Sequence, residues 1–168
     1  DVGGILVPEK RGYIEKEINK YLGIKNAPSF LKWLKLSATR GEIKLLDAYS
    51  ILIKKIRSKI NPKELVQKHV ELYKKTSTVR DSEIISLITK LKSKYLVVAL
   101  TNTEIEIAEL NKEIGLFDYF DKAYLSIELG LMKPQKEIYL EVLREIHCKP
   151  EEVVFIDDNE DYTKIAKD

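Results

Sequence analysis

A chain of 168 residues is long enough for one domain with a sizeable core, or for a core carrying a small insert. Its 29 Lys and Arg against 27 Asp and Glu leave a net charge of +2, and no basic tract alternates with aromatics, so no nucleic-acid partner is expected. Apolar runs such as Tyr95–Leu100 are far too short to span a membrane, and no Cys/His spacing suggests zinc.

The chain opens on Asp1-Val2-Gly3-Gly4-Ile5-Leu6, a carboxylate followed by two glycines that let a backbone curl around a ligand. From residue 9 the pattern turns helical. Ile14, Ile18, Tyr21 and Leu22 form one stripe, closed by Gly23, and Phe30, Leu31 and Leu34 form a shorter one. Ile43, Leu46, Tyr49, Ile53, Ile56 and Ile60 make a longer stripe, stopped by Asn61-Pro62. Leu65, His69, Leu72 and Tyr73 make another. The segment from about Ser82 to Lys92 carries Ile84, Ile85, Ile88 and Leu91 and leads directly into a strand at Tyr95–Leu100. Trp33 is expected in the core of the helical module, with His69 and His147 as packing or surface residues and Cys148 inert.

After that strand, Glu104–Ile114 reads as a helix with Gly115 as its terminator, and Ala123-Tyr124-Leu125 as a short strand. Pro134 is expected to open a helix at its tolerated first-turn position, with Ile138, Val142 and Ile146 on one face. Val153-Val154-Phe155-Ile156 is a short apolar run without alternation, which suits a central parallel strand covered on both faces. It runs into Asp157-Asp158 and a last helix. Alternating strands and helices predict an α/β fold, a doubly wound parallel sheet of Rossmann-like type. The expected body is residues 1–8 and 82–168, with residues 9–81 inserted as an α-helical cap.

Chemistry concentrates where strands end. Asp157 and Asp158 are neighbouring anions that need compensation, and a hard divalent cation is the usual compensator. The alternative is a solvated acidic turn. Asp1 with Gly3 and Gly4, Thr101-Asn102 after Val97–Leu100, and Lys133 before Pro134 occupy corresponding positions. Converged, these supply a carboxylate nucleophile, a hydroxyl donor, a fixed cation and a metal-binding pair, the inventory for moving a phosphoryl group through an aspartyl-phosphate. Read singly, Asp1 is a solvated terminus, Thr101 a helix cap and Lys133 a surface lysine.

In order and wording these segments resemble the haloacid dehalogenase superfamily, in its branch with a helical cap inserted after the first motif. Asp1–Leu6 resembles motif I, Leu100-Thr101-Asn102 motif II, Gly130-Leu131-Met132-Lys133-Pro134 motif III and Phe155–Asp158 motif IV. Leu116–Asp121, with Ser126 and Glu128-Leu129-Gly130, resembles the run before motif III. The resemblance implies a Mg²⁺-dependent phosphatase of a small phosphorylated metabolite. Asp1 would be nucleophile and metal ligand, with the Gly3 carbonyl a further ligand. Asp158 would touch the metal directly and Asp157 through a water. Gly3, Gly4, Thr101, Asn102 and Lys133 would contact the substrate phosphate, with Thr101 and the following main-chain N–H groups holding its oxygens. Lys133 would neutralise nucleophile and transferring group.

Two positions depart from that pattern. Gly3 stands where these phosphatases usually carry a second Asp as general acid and base, and Tyr162 stands where Asn or Asp is usual. They keep open a catalytically silent relative that binds a ligand or partner through its cap; halide release from a 2-haloacid is a third reading. The absence of an initiator Met at Asp1, and an end within an apparent helix, suggest a fragment lacking a strand before Asp1. A reducing, cytoplasmic setting is expected from the single cysteine, no signal peptide is visible, and no residue pattern speaks to oligomeric state.

Overall fold

The computed structural model describes residues 1–8, 12–24, 29–77 and 79–168. The expected helical stripes become α1 (Tyr13–Tyr21), α2 (Ser29–Thr39), α3 (Leu45–Ile56) and α4 (Pro62–Ser77). Leu34 of α2 and Ala48 and Leu52 of α3 form one core cluster, with Leu22, Phe30, Leu31 and Ile43 packed around it, while α4 buries Leu65 and Leu72. α3 lies against both α2 and α4, and α1 against α4. Burying one apolar stripe per helix in this way is what makes such short helices stable.

The rest of the chain alternates. α5 (Ser82–Lys92) starts on Asp81, whose side chain accepts the Glu83 and Ile84 N–H groups, an N-cap that satisfies two orphan donors. β1 (Val98–Thr101), α6 (Ile105–Glu113), β2 (Lys122–Leu125), α7 (Ser126–Leu129), α8 (Lys136–Ile146) and α9 (Glu160–Lys167) follow. α6 stops where expected: Gly115 takes φ +65, open to a residue without Cβ.

β1 and β2 pair in parallel, from Val98 opposite Lys122 to Thr101 opposite Leu125. Successive residues of β1 point to opposite faces, and each face is covered. Ala99 joins Val2, Leu6, Val7, Ile88 and Leu116 on one side. Leu100 joins Tyr124, Ile138, Tyr139 and Val142 on the other. The described sheet consists of these two strands, which place Thr101 and Leu125 at one common end.

Several expectations need correction. β1 begins at Val98, not Tyr95: Tyr95 and Leu96 are exposed, and the Tyr95 N–H donates to Leu91 O in the turn closing α5. α3 ends at Ile56 because Arg57 turns left-handed (φ 54) and Ser58 N–H caps Ile53 O, so Ile60 falls outside it. Pro134 does not open α8. It follows Lys133 through a cis peptide in a loop, and the helix begins two residues later, after Gln135. Trp33 is 55 % exposed rather than part of the cap core, since it lies off the stripe that Phe30, Leu31 and Leu34 present.

The largest correction concerns Val153–Ile156. Among the described residues this run has no strand partner, and Val154 is 85 % exposed. An isolated extended segment cannot cover itself, because coverage needs a hydrogen-bonded neighbour on which flanking helices can rest. The boundary expected between residues 8 and 9 adjoins residues 9–11, which lie outside the described residues; that expected between 81 and 82 falls at the Asp81 cap.

Candidate active site

The first segment is a compact turn built on buried Val2, Leu6 and Val7. Leu6 and Val7 N–H groups donate to Val2 O, and Gly4 N–H donates to Val7 O. Gly3 bridges Val7 through its neighbours' groups, so among the described residues its own carbonyl is left outside the turn's hydrogen bonds. The Asp1 main-chain nitrogen donates to Ile156 O (2.7 Å), which fastens this segment to the one before Asp157.

Lys133 is the centre of the arrangement. It is fully buried, which rules out a surface lysine. Its Nζ lies 2.9 Å from Asp1 Oδ1 and 2.6 Å from Asp157 Oδ2, and donates to Leu100 O at 3.0 Å. Phe155 and Tyr162 turn ring faces towards it, at 5.7 and 5.3 Å. Burial pushes the ammonium below the ordinary lysine range, and the Asp157 hydrogen bond and charge push it back up. A cation so paired stays put, since separating it would leave carboxylates and ammonium desolvated and unmatched.

Asn102 holds the loop that carries Lys133. Its Nδ2 donates to Lys133 O and its Oδ1 accepts Lys133 N–H, both at 2.9 Å. This commits the Asn102 side chain to positioning, and the Thr103 N–H is likewise engaged, donating to Ser126 Oγ at 3.0 Å. Thr101 closes β1 and is nearly buried; it does not cap α6, which starts on Glu104 with no side-chain cap.

The two motif-IV acids separate. Asp157 has a fully buried carboxylate with both oxygens taken, Oδ2 by Lys133 and Oδ1 by Asn159 N–H at 2.9 Å. Asp158 is exposed and lies against Gly4: a Cβ built on Gly4 would sit 2.5 Å from the Asp158 carboxylate carbon. Gly4 also has φ +79. Only glycine meets both conditions, so the carboxylate can close on the Asp1 turn. One oxygen from each of Asp1, Asp157 and Asp158 falls within 4.8 Å of the others, a hard-oxygen set of the type that holds a divalent cation.

A cavity of about 390 Å³ joins this acidic end to the cap. Asp1, Gly3, Gly4, Thr101, Asn102 and Asp158 line one part, and Tyr49, His69, Tyr73 and Asn111 another. His69 Nδ1 pairs with Tyr49 Oη at 2.7 Å, and Asn111 Nδ2 donates to Tyr73 Oη at 2.8 Å. Burial lowers the His69 pKa and raises that of Tyr49, so both are neutral at ordinary pH. Sequence reasoning treated these four as packing residues or passed over them. The available signal was a polar tip recurring on an otherwise apolar stripe, at Tyr49, His69 and Tyr73. Tyr162 also lines the cavity.

Comparison with known proteins converges on one family. The model of the haloacid dehalogenase-like hydrolases matches residues 7–167. A D-ribitol-5-phosphate phosphatase of Bacteroides thetaiotaomicron is 34 % identical over 95 residues, covering 52 % of this chain and 46 % of that protein. A glyceraldehyde 3-phosphate phosphatase of Methanothermobacter thermautotrophicus is 35 % identical over 73 residues, 42 % of this chain and 32 % of that protein. The match thus spans less than half the length of these relatives. Among solved structures, a haloacid dehalogenase family enzyme of Bacteroides thetaiotaomicron in complex with magnesium superposes with a TM-score of 0.82 at 25 % identity, over 99 % of this chain and 85 % of that one. Its complex with magnesium and inorganic phosphate gives 0.78 at 25 % identity, over 99 % and 86 %. Family model, fold and the order of the converging segments agree: the chain belongs to the haloacid dehalogenase-like hydrolases.

Proposed function

We propose that this chain carries the active site of a Mg²⁺-dependent phosphatase that hydrolyses a small phosphorylated sugar or polyol. The observation that carries the reading is the fixed ammonium of Lys133 between two carboxylates, one of which, Asp1, lines a cavity that continues into a helical cap. Support for the substrate class comes from the two relatives named above, both phosphatases of small sugar or polyol phosphates. The doubly wound body of residues 1–8 and 82–168, with residues 9–81 as cap, belongs to the same proposal. So do action on a small metabolite in a cytoplasmic setting and the absence of nucleic-acid and membrane partners; among the described residues no helix is long and apolar enough to cross a membrane.

The residues fit a magnesium ion. Asp1 and Asp158 offer hard carboxylate oxygens, the Gly3 carbonyl is outside the turn's hydrogen bonds, and Gly4 leaves the room that Asp158 needs. When bound, the ion would offset the repulsion between a carboxylate and a phosphate. Asp157, with both oxygens engaged, would act chiefly by holding Lys133 and only through a water on the metal.

In this reading Asp1 attacks phosphorus. Lys133 and the Val2 N–H both contact Oδ1, which leaves Oδ2 as the attacking atom. An O–P bond forms on Asp1 while the bond from phosphorus to the ester oxygen breaks. Lys133, Thr101 and the Asn102 N–H stabilise the charge on the phosphoryl oxygens, the Thr103 N–H being taken by Ser126 Oγ. Water then cleaves the aspartyl-phosphate and restores the carboxylate. Gly3 provides no acid for the departing oxygen, which by general experience costs about 10²–10⁴ in rate unless another group supplies the proton. Substrates with a good leaving group should therefore turn over fastest.

The test is phosphate release from sugar and polyol monophosphates with Mg²⁺, with chelator, and with Asp1→Asn. Release should require the metal and fall at least about 10³-fold in the variant. Release that ignores chelator, or survives in Asp1→Asn, would sink the proposal. Gly3 and Tyr162 favour a second reading, a silent relative that binds without turning over. It predicts that Mg²⁺ and a phosphate mimic fail to bind in a linked manner by calorimetry.

A further inference from the structure

The cap end of the cavity differs in chemistry from the acidic end. Two neutral pairs line it, Tyr49 with His69 and Tyr73 with Asn111. Around them stand Leu34, Ala48, Leu52 and Ile107. Each tyrosine hydroxyl has one proton: Tyr73 gives its own to Asn111 Oδ1 and accepts from Asn111 Nδ2, whereas the Tyr49 oxygen keeps a lone pair and His69 keeps Nε2 for a further bond, since Tyr49 is its hydrogen-bond partner among the described residues. Such a surface suits a tail whose carbon edges pack on aliphatic groups while its hydroxyls meet Tyr and His.

The same end is poorly suited to a second anion. Glu15 and Glu104 line the cavity, and Glu104 lies near enough to act on both Tyr49 and His69 electrostatically. Lys35 is the one Lys or Arg among the described lining residues, and Glu15 lies 3.4 Å from its Nζ. The groups charged or titratable around His69 are Tyr49, Glu104, Glu106 and Lys35; burial, with Lys35 acting in the same direction, lowers the ring's pKa against the two glutamates. An anionic tail would lose its hydration here and gain no fixed cation in return.

We propose that the wall formed by the Tyr49–His69 and Tyr73–Asn111 pairs selects phosphate monoesters with an uncharged, hydroxylated tail, and that Glu104 turns away esters carrying a second anion. This rests on the phosphatase reading above and narrows its substrate to one phosphate on a short polyol or sugar chain.

The experiment uses the whole chain, its Tyr49→Phe and Glu104→Gln variants, and three probes: acetyl phosphate, a five-carbon polyol monophosphate and the matching bisphosphate. Tyr49→Phe keeps the ring and removes only the hydroxyl. The ratio of kcat/KM for the polyol monophosphate to that for acetyl phosphate should fall about tenfold, mainly through KM, as expected for one lost hydrogen bond. Glu104→Gln should raise kcat/KM for the bisphosphate about fivefold relative to the monophosphate. Calorimetric binding of the same probes in Mg²⁺ runs in parallel. Turnover with both ratios unaltered overturns the inference and leaves the phosphatase reading standing. Absent turnover, with monophosphate binding that weakens about tenfold in Tyr49→Phe, overturns the phosphatase reading and keeps the wall. Neither turnover nor variant-sensitive binding overturns both.

Discussion

Val98–Thr101 and Val153–Ile156 are the same kind of sequence with opposite fates. Each is a short apolar run that delivers polar site residues at its end, Thr101 in one case and Asp157-Asp158 in the other. The first is laddered to β2, and its Ala99 and Leu100 are buried on opposite faces. The second has no ladder among the described residues, and Val154 faces solvent. It is tied at points: Asp1 N–H to Ile156 O, the Phe155 ring edge-on to Tyr139 at 5.3 Å, and Lys133 to Asp157. A β-branched apolar run thus says that a segment prefers to be extended; a neighbouring strand decides whether it is covered. The difference also separates two ways of placing a functional group, by a sheet or by an ion pair.

If the second run is held by its ion pair, Lys133→Met should have the largest effect. It leaves the Asp157 carboxylate buried without its cation, at about 3–5 kcal/mol of stability. Urea denaturation in chelator should show this; a loss under about 1 kcal/mol would mean that something else anchors the run. Next comes a matched pair. Leu100→Ala should cost about 2–5 kcal/mol as a core truncation. Val154→Ala should stay within about 0.5 kcal/mol, as an exposed substitution does. Equal losses would erase the contrast between the two runs.

Gly4→Ala probes where the first segment meets the second. The left-handed φ alone costs about 1–3 kcal/mol, and the new Cβ meets Asp158. Mg²⁺ affinity by calorimetry should therefore drop about tenfold or more; unchanged affinity would mean that Asp158 need not approach Gly4. The smallest effect lies in the cap and serves as a control for both runs. The native His69 pKa lies below its ordinary 6.5 because of burial. As pH falls through that value the unfolded chain takes up a proton that the native state refuses, so stability declines on acidification until the native pKa is reached. Thermal melts from about pH 7.5 down to about pH 5.5 should show this decline in the wild type and a flatter profile in His69→Gln.

Helices were legible because their signal is local. The stripes at Ile14–Leu22 and Leu65–Tyr73 need only a 3.6-residue period and a stop, and α1 and α4 follow them. What failed depended on distant residues. The Ile43–Ile60 stripe continued past the point where Arg57 breaks α3, and Pro134 resembled a helix start until the loop held by Asn102 placed it outside. The residues that gather at the candidate site, Asp1, Thr101, Lys133, Asp157 and Asp158, could be singled out in advance. Their division of labour could not: nothing in an Asp-Asp pair shows that the first is enclosed by Lys133 and Asn159 while the second leans on Gly4.

The Lys133 junction has a kinetic consequence. Its ammonium needs Asp1, the Leu100 carbonyl and Asp157 together, and the nearby Asp1–Ile156 contact closes a separation of 155 residues. Loops of that size close late, after local helices have formed. Contacts absent from the folding transition state slow unfolding without hastening folding. A ligand gripped at this junction should act as a latch, lengthening the lifetime of the native protein while leaving its rate of formation unchanged.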